Sequence, residues 1–435
     1  MPVLGPAPRR STAPASVREE RLLLRVLLAL GALLTGTGLM MQSPGPLLAG
    51  WLQIMQSPKM LLSDSMAIGG QAAAFFNSGV MTLLSCGLLR WLKSPINGPA
   101  IAAVLIVSGF SFFGKHPLNA APLVLGLLSF MRLGRVDLSS AGTPALFSTA
   151  LGPLVSSVAL GMGLPLWAGI PLGLVLGYLT GMLLVPVSRV ALGCHRGYSL
   201  YNMGFAAGLV AMVVINVLRI LGLPVSTTLL LHQGGGTILA VGVGAVFLAT
   251  AGLGWWLNGR TLRGYAVLLQ ESGQLSCDMV ARHGAGLTLC NMGFSGLMAL
   301  ALPLAVGSPV NGPVLGAILT VYGFGAFGKH PFNCLPVMAG ALAATWLGIH
   351  DLADTSALIV VLFSTTLAPV SGAYGPAAGA AAGFLHVALA HNLGYLHAGV
   401  NLYNNGFAGG FVAMLLPPVI EEARKLLPGQ RHRVG

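Results

Sequence analysis

The chain has 435 residues, of which 55% are hydrophobic and only 7% are charged. Soluble domains carry about 25% charged residues, so this composition excludes an ordinary soluble enzyme or binding domain. The net charge of +12 comes from short basic clusters at the ends of apolar segments, a pattern typical of cytoplasmic membrane loops and not of nucleic-acid binding. Apolar runs of roughly 20 residues recur along the sequence, and they predict a polytopic helical membrane protein in contact with lipids.

Residues 1–20 are rich in arginine and precede a long apolar stretch without an A-x-A-like cleavage site. They predict a cytoplasmic tail followed by a retained membrane anchor. Fourteen apolar segments follow in chain order: 21–42, 66–90, 98–114, 117–131, 144–163, 165–188, 199–222, 235–257, 278–305, 312–328, 331–348, 357–374, 376–396 and 400–420.

The charges between these segments indicate an orientation. With the N-terminus inside, the acidic loop of Asp351 and Asp354 falls outside and most of the basic residues fall on the cytoplasmic side, although Arg219 does not. The pattern predicts a multi-pass protein of the bacterial inner membrane with both termini in the cytoplasm. The basic residues on the cytoplasmic side are Arg90, Lys93, Arg132, Arg135, Arg189, Arg196, Arg260 and Arg263.

Two of the segments, 98–114 and 117–131, are short. At 1.5 Å per residue, a helix of 17 residues reaches about 25 Å, which is less than the roughly 30 Å of a bilayer core. Each of these segments is therefore either a tilted span or half of a re-entrant hairpin.

The sequence contains an internal repeat. Residues 94–119 align without gaps on residues 308–333, and 16 of the 26 positions are identical. We therefore predict a cytoplasmic tail, a first repeat, a joint, a second repeat and a basic cytoplasmic tail, with the bounds 1–20, 21–222, 223–234, 235–420 and 421–435. Consecutive units with an odd number of segments lie in opposite orientations. The predicted fold is an all-α polytopic membrane protein with two inverted repeats of about seven segments each, including short or re-entrant helices.

The repeated stretches "FFGKHPLN" and "FGKHPFN" supply the first candidate site residues. Intramembrane ionisable groups are costly, so they usually face a cavity or pair with an opposite charge. The alternative is an ordinary loop whose lysine extends to the lipid headgroups. The repeat makes a functional or pair-forming role the favoured interpretation, with these residues at a substrate site or pathway: Lys115, His116, Asn119, Lys329, His330 and Asn333.

Asp64 and Asp278 occupy matching positions at the start of an apolar segment in each repeat. They are the natural counter-charges for the two lysines, and a structural ion pair is the commoner outcome for such residues. An ion or proton relay is the alternative.

Four Asn-containing stretches form a second candidate set, one near the start and one near the end of each repeat. Asparagine inside lipid must find hydrogen-bond partners, and the nearby glycine lets helices approach closely or unwind. The amides either join helices or line a pathway for a small polar solute near a pseudo-twofold axis, and their fourfold recurrence favours the pathway. The residues are Asn77, Asn202, Asn291 and Asn404.

The length, the duplicated architecture and the paired GKHPxN stretches resemble an uncharacterised family of bacterial polytopic membrane proteins over nearly the whole chain. The motifs "LCNMGFSGLM" and "LYNMGFAAGLV" are more distantly similar to the Asn-containing motifs of urea transporters, although the Lys-His pairs and the larger number of segments differ. That resemblance implies a channel-like protomer with two inverted halves and a pore on the pseudo-twofold axis. It also implies a homo-oligomer, which we expect to be a dimer or a trimer.

The sequence has no GxxxxGK[ST] run, no GxSxG turn and no metal-ligand cysteine spacing, so we expect no enzyme, no catalytic residue, no cofactor and no metal site. It predicts a membrane transporter or channel for a small polar or anionic solute, urea-transporter-like and without ATP hydrolysis, with its pathway between the repeats. Two alternatives stay open. One is an ion- or proton-coupled secondary transporter that uses Asp64 and Asp278, and the other is a non-transporting structural membrane protein.

Overall fold

The computed structural model describes residues 16–58, 62–223, 229–233, 236–275, 277–348 and 351–426. Most of the predicted N-terminal tail, part of the joint and most of the basic C-terminal tail lie outside the described residues. The first repeat contains helices α1 (Val17–Met41), α2 (Pro44–Gln56), α3 (Ser65–Trp91), α4 (Gly98–Phe110), α5 (Pro117–Leu133), α6 (Gly142–Ser148), α7 (Gly152–Leu160), α8 (Leu166–His195) and α9 (Asn202–Ile220). The second contains α10 (Thr237–Leu257), α11 (Tyr265–Leu268), α12 (Met279–Val306), α13 (Gly312–Phe324), α14 (Pro331–Leu347), α15 (Thr355–Ser364), α16 (Ala368–Tyr374), α17 (Pro376–Leu393) and α18 (Asn404–Leu426).

Each of the fourteen predicted segments is helical, and α2 and α11 are short helices that the segments did not include. In the described part of the chain, nine helical stretches are long and apolar enough to cross a membrane. Two of them, Gly142–Leu160 and Thr355–Tyr374, join two helices across a short 3-10 turn. The 18-residue α17 follows α15–α16 as α8 follows α6–α7. From this correspondence between the repeats, we infer that α17 is a tenth crossing.

The shorter apolar helices α4, α5, α13 and α14 form two re-entrant hairpins. Before α4, the Ser94 hydroxyl donates to the carbonyl of Ser139, which follows α5, at 2.6 Å. In the second repeat, Ser308 donates to Ala353 at 2.9 Å. The chain therefore enters through the shorter helix and returns to the same face through the longer one. This decides between the two predicted interpretations: α4 and α5 form a hairpin, and each repeat has five crossings.

Local sequence explains the first hairpin. The Asn97 side chain accepts from Ala100 N at 3.0 Å and caps α4, where Pro99 fits the first turn because its missing N–H has no helical partner there. The chain turns at Gly114, whose φ is +99°, a backbone conformation that residues with a Cβ rarely adopt. Pro117 then starts α5. The second hairpin repeats these features with Asn311, Gly328 and Pro331.

The helices α4 and α13 pack against each other in the centre of the protein. They are apolar all round and almost completely buried, because protein surrounds them on every side. Close approach occurs at Gly109 and Gly316, where a Cβ on Gly109 would lie 2.7 Å from the Gly316 carbonyl oxygen. Two half-length helices, one from each repeat, therefore occupy the centre of the molecule.

The two repeats are inverted, as the odd number of crossings requires. The start of α1 reaches the start of α12, where Glu19 accepts from Ala285 N at 3.2 Å. At the same face, Arg196 after α8 forms an ion pair of 3.0 Å with Glu421 at the end of α18. We call this the Glu19 face. Arg219, at the end of α9, lies at the opposite face and donates to the Tyr395 carbonyl at 3.0 Å.

Helices α9 and α18 begin beside each other and leave in opposite directions. A Cβ on Gly204 would lie 2.8 Å from Tyr403 Cβ and 3.0 Å from Gly406 Cα. On the other helix, a Cβ on Gly406 would lie 2.8 Å from Tyr201 Cβ. This contact between small residues brings the two tyrosines next to the pseudo-twofold axis.

The hairpins predict a labelling pattern. Cys194 is exposed and the other four cysteines are buried, so Cys194→Ser gives a suitable background. In this background, a cysteine that replaces Lys93 and one that replaces Arg135 should react from the same face. A cysteine replacing Asp354 should react from the other face, because the second hairpin is inverted. Impermeant maleimide on intact and opened cells measures this. Labelling of Lys93→Cys and Arg135→Cys from opposite faces would show that α4 and α5 together cross the membrane.

The glycine contact predicts a steric effect on stability. Gly204→Ala should destabilise the protein by about 1–3 kcal/mol, because the added methyl group overlaps the backbone and Tyr403. Gly193→Ala is the matched control, since a Cβ at this position of α8 meets nothing within 4 Å. Thermal unfolding in detergent compares the two variants. Equal stability of both would contradict close packing between α9 and α18.

Candidate functional site

The site is built around two lysines that are completely buried, Lys115 and Lys329. Each lies in the turn of its re-entrant hairpin, next to the histidine that precedes the longer helix. Among the residues that the structure describes, no carboxylate lies within ion-pair distance of either ammonium group. Neither lysine therefore extends to the headgroups, and each depends on neutral partners.

Lys115 is held by one residue of its own repeat and one of the other. Its Nζ donates to Thr149 Oγ1 at 2.8 Å and contacts the Tyr403 hydroxyl at 2.5 Å. The ammonium group also lies 4.5 Å from the centre of the Tyr403 ring and 5.4 Å from that of Phe110. Contacts of this kind contribute about 0.5–2 kcal/mol each.

Lys329 has the corresponding partners with the repeats exchanged. Its Nζ lies 2.5 Å from the Tyr201 hydroxyl and 2.8 Å from Thr365 Oγ1. The rings of Tyr201 and Phe324 are 4.5 and 5.1 Å away. Each lysine thus reaches a tyrosine of the opposite repeat, so the two contacts tie the repeats together.

The threonines place each lysine at a helix end. Thr149 follows the last residue of α6, and its hydroxyl donates to the Leu146 carbonyl at 2.6 Å while it accepts from Lys115. Thr365 does the same after α15, with Leu362. A helix C-terminus carries about half a negative charge, so it partly compensates a nearby cation.

The sequence prediction omitted both the tyrosines and the threonines. Thr149 and Thr365 lie in the repeated stretches "LFSTALGP" and "LFSTTLAP". A threonine in such a stretch more often bonds to a carbonyl of its own helix than to a distant group. Tyr201 and Tyr403 precede the asparagine in two of the four Asn-containing stretches. That shared Leu-Tyr-Asn step was the available signal.

Two of the predicted asparagines hold the hairpin turns. Asn77 Nδ2 donates to the carbonyls of Ser111 and Lys115 at 2.7 and 2.8 Å, and Asn291 Nδ2 donates to those of Gly325 and Lys329 at 2.7 Å each. Each amide therefore fixes the backbone of the lysine itself.

The other two predicted asparagines anchor the starts of α9 and α18. Asn202 Oδ1 lies 2.9 Å from His195 Nε2, and its Nδ2 donates to Ser188 at 3.1 Å. Asn404 makes the same contacts with His397 and Ala390, at 2.9 and 3.0 Å. All four asparagine amides thus bond to neighbouring backbone and side chains, so the structure does not gather them into one polar lining.

Asn119 and His116 stabilise the first hairpin turn. Asn119 accepts from His116 N at 3.1 Å and donates to the Gly114 carbonyl at 2.9 Å. His116 Nε2 lies 3.2 Å from Ser156 Oγ. Their counterparts, Asn333 and His330, repeat the backbone contacts at 3.0 and 2.9 Å, whereas His330 Nε2 contacts the Glu271 carbonyl at 2.9 Å.

The predicted charge pair between the aspartates and the lysines does not form. Asp278 Oδ1 accepts from Val280 N, Ala281 N and, across the repeat boundary, Gly98 N, at 2.9, 3.2 and 3.1 Å. Asp64 accepts from Met66 N at 2.8 Å and from Gly312 N at 3.2 Å. Each carboxylate caps its own helix and the short helix of the other repeat, because free N–H groups and the positive helix ends attract it.

A cavity of about 360 Å³ lies beside the tyrosine pair at the interface of the repeats. Both Tyr201 and Tyr403 belong to its wall. The remaining wall is mainly apolar, with Thr143, Ser188 and Asn202 as polar members. The wall includes Thr143 at the start of α6 and Leu192 near the end of α8, so the cavity lies on the side of the Glu19 face. This volume is at the lower end of the range for small-molecule pockets, about 300–1,000 Å³.

Among the described residues, the symmetry-related space on the other side of the tyrosine pair holds almost no free volume. Phe147, Leu200 and Phe324 line the open cavity, and their counterparts are Phe363, Leu402 and Phe110. Around those counterparts, the free volume is about 0 Å³. The repeats are alike in sequence and in hydrogen bonding, but the free volume beside the tyrosine pair differs between them.

These features define a multi-pass helical membrane protein with two inverted repeats and a one-sided central cavity. The model of the DUF1576 family, described as a protein of unknown function, matches residues 43–220 and 257–422, so the chain belongs to that family. No curated protein and no solved structure matches the chain. The similarity to urea transporters therefore stays a prediction.

The aspartate geometry predicts the effect of two substitutions. Asp278→Ala should destabilise the protein by about 0.5–2 kcal/mol, because three N–H groups lose their acceptor. Asp278→Asn should remain near the wild-type stability, since Oδ1 alone accepts all three bonds and an amide oxygen can replace it. Thermal unfolding in detergent compares them. An Asn variant as unstable as the Ala variant would show that the negative charge itself is required.

Proposed function

We propose that the protein is a membrane transporter or channel for a small polar or anionic solute and that it acts without ATP hydrolysis. The one-sided cavity between the inverted repeats carries this proposal. Inverted repeats commonly place a solute site at their interface and open it to one face at a time. A purely structural membrane protein would not need such a cavity.

The pathway of this proposal runs from the Glu19 face through the cavity to the tyrosine pair. On the far side, Phe363 and Leu402 would have to separate before a solute could leave. Because the repeats are similar in sequence and in hydrogen bonding, exchanging their conformations would close the first cavity and open the second. The one-sided cavity therefore favours alternating access over a continuously open pore.

The orientation and the localisation form part of the same proposal. Arg90, Lys93, Arg132 and Arg135 lie toward the Glu19 face, at the end of α3 and the end of the first hairpin. The positive-inside tendency assigns that face to the cytoplasm of a bacterial inner membrane. The cavity would then be open to the cytoplasm.

Solute flux through proteoliposomes tests the function. Wild-type protein should carry at least one of acetate, propionate, phosphate and urea faster than empty liposomes do. Leu192→Trp should reduce that flux by roughly tenfold, because Leu192 lies in the wall and an indole takes up much of a small cavity. Val190→Trp is the matched control, since this residue of the same helix is 67% exposed and outside the wall.

Unchanged flux of a carried solute in Leu192→Trp would place the pathway elsewhere. Failure of the wild type to carry any solute of the panel would count against transport.

A further inference from the structure

The chemistry around the cavity indicates a class of ligand for the site of the proposed function. Resting on that function, we propose that the cavity binds a small monoanion with an apolar body, a short aliphatic or aromatic monocarboxylate. The two buried lysines, through their tyrosines, supply the positive charge that the carboxylate group meets.

The first argument is that neither buried lysine has a carboxylate partner among the described residues. A charged lysine at the centre of a bilayer is costly, and buried cations usually pair with a carboxylate. Lys115 and Lys329 have hydroxyl and ring partners instead, and in the described ranges no acidic side chain is within ion-pair reach of them. The only nearby acids that the sequence suggested, Asp64 and Asp278, already serve as helix caps.

The second argument is the way in which the lysines meet the cavity. Tyr201 and Tyr403 are wall residues, and each hydroxyl lies 2.5 Å from a lysine Nζ. Each amine therefore bonds to a residue of the cavity wall. An anion bound at the tyrosine pair would sit near two positive groups in a medium of low dielectric constant, where electrostatic attraction is strong.

Helix N-termini add to the positive electrostatic potential at the tyrosine pair. Helices α9 and α18 both begin beside this pair, at Asn202 and Asn404, and run away from it toward opposite faces. Helix N-termini carry about half a positive charge and favour anions. This feature supports the lysines, which carry the argument.

The third argument is the composition of the remaining wall. Away from the tyrosines, the cavity is lined mainly by Ile106, Phe147, Leu200, Phe324 and Phe327. An apolar wall favours a ligand with an apolar body, and a strongly hydrated dianion would lose its water without replacement. The combination of an apolar wall with one positive end fits a monocarboxylate better than urea or phosphate.

Binding to purified protein in detergent tests this proposal without a flux measurement. The probes are butyrate and benzoate, with butyramide and benzamide as neutral analogues of the same shape and inorganic phosphate as a dianion. Isothermal titration calorimetry should show that each carboxylate binds about tenfold or more tightly than its amide, because charge-assisted hydrogen bonds are stronger than neutral ones. Phosphate should bind more weakly than either carboxylate.

Substitution of the lysines provides the second part of the test. Lys115→Met and Lys329→Met, singly and together, should weaken carboxylate binding by about tenfold or more while amide binding changes little. Lys93→Met is the control, because Lys93 is an exposed residue in the loop before α4. Gel filtration establishes which variants are folded. If the double variant does not fold, the comparison of carboxylates with amides on the wild type decides alone.

Equal affinity for carboxylate and amide, or wild-type carboxylate affinity in a folded double variant, would overturn the proposal. Absence of carboxylate binding to the wild type would also overturn it. If urea or phosphate flux were then observed, the proposed transport function would still be supported. Carboxylate binding that requires the lysines, without flux of any solute, would support the site and count against transport.

Discussion

Two amines in the middle of the protein set the constraint on which the rest of the structure depends, because no carboxylate of the described residues lies beside them. A charged amine at this depth requires substitutes for water, and hydroxyl groups, aromatic faces and helix C-termini provide them. No single element supplies all of these. The hairpin brings Lys115 to the centre, the break after α6 brings Thr149, and the start of α18 brings Tyr403. The interrupted helices are therefore required by the chemistry at the centre.

The same constraint explains where the asparagines are used. A turn in the middle of a membrane exposes backbone carbonyls that lipid cannot satisfy. Asn77 and Asn291 donate to those carbonyls, and the lysine side chains remain available for the tyrosines. A polar group that looks suited to solute binding in the sequence is used here to make the turn possible.

Much of the fold follows from the sequence because it depends on apolar length and on duplication. The repeat at an offset of 214 residues, the inversion and the shortness of segments 98–114 and 312–328 are all visible in the printed residues. The choice between a tilted span and a hairpin could not be made from the sequence, since it depends on the hydrogen bond between Ser94 and Ser139. The partners of the lysines could not be predicted either, because Lys115 and Tyr403 are 288 positions apart and no local pattern connects them. The predicted ion pair between Asp64 or Asp278 and a lysine was wrong, since the sequence does not reveal that each carboxylate is already used as a helix cap.

The exchange of partners between the repeats has a consequence for the origin of the protein. Each repeat supplies both sides of the shared surface: an aspartate that caps the short helix of the other half, and the helix that receives the other half's aspartate. It also supplies both a lysine and the tyrosine that holds its counterpart. A single ancestral unit with these four groups would have been complementary to an upside-down copy of itself. Such a unit would have assembled as an antiparallel pair if it inserted into the membrane in both directions. Gene duplication and fusion would then have fixed one copy in each orientation, after which the two cavities were free to evolve separately.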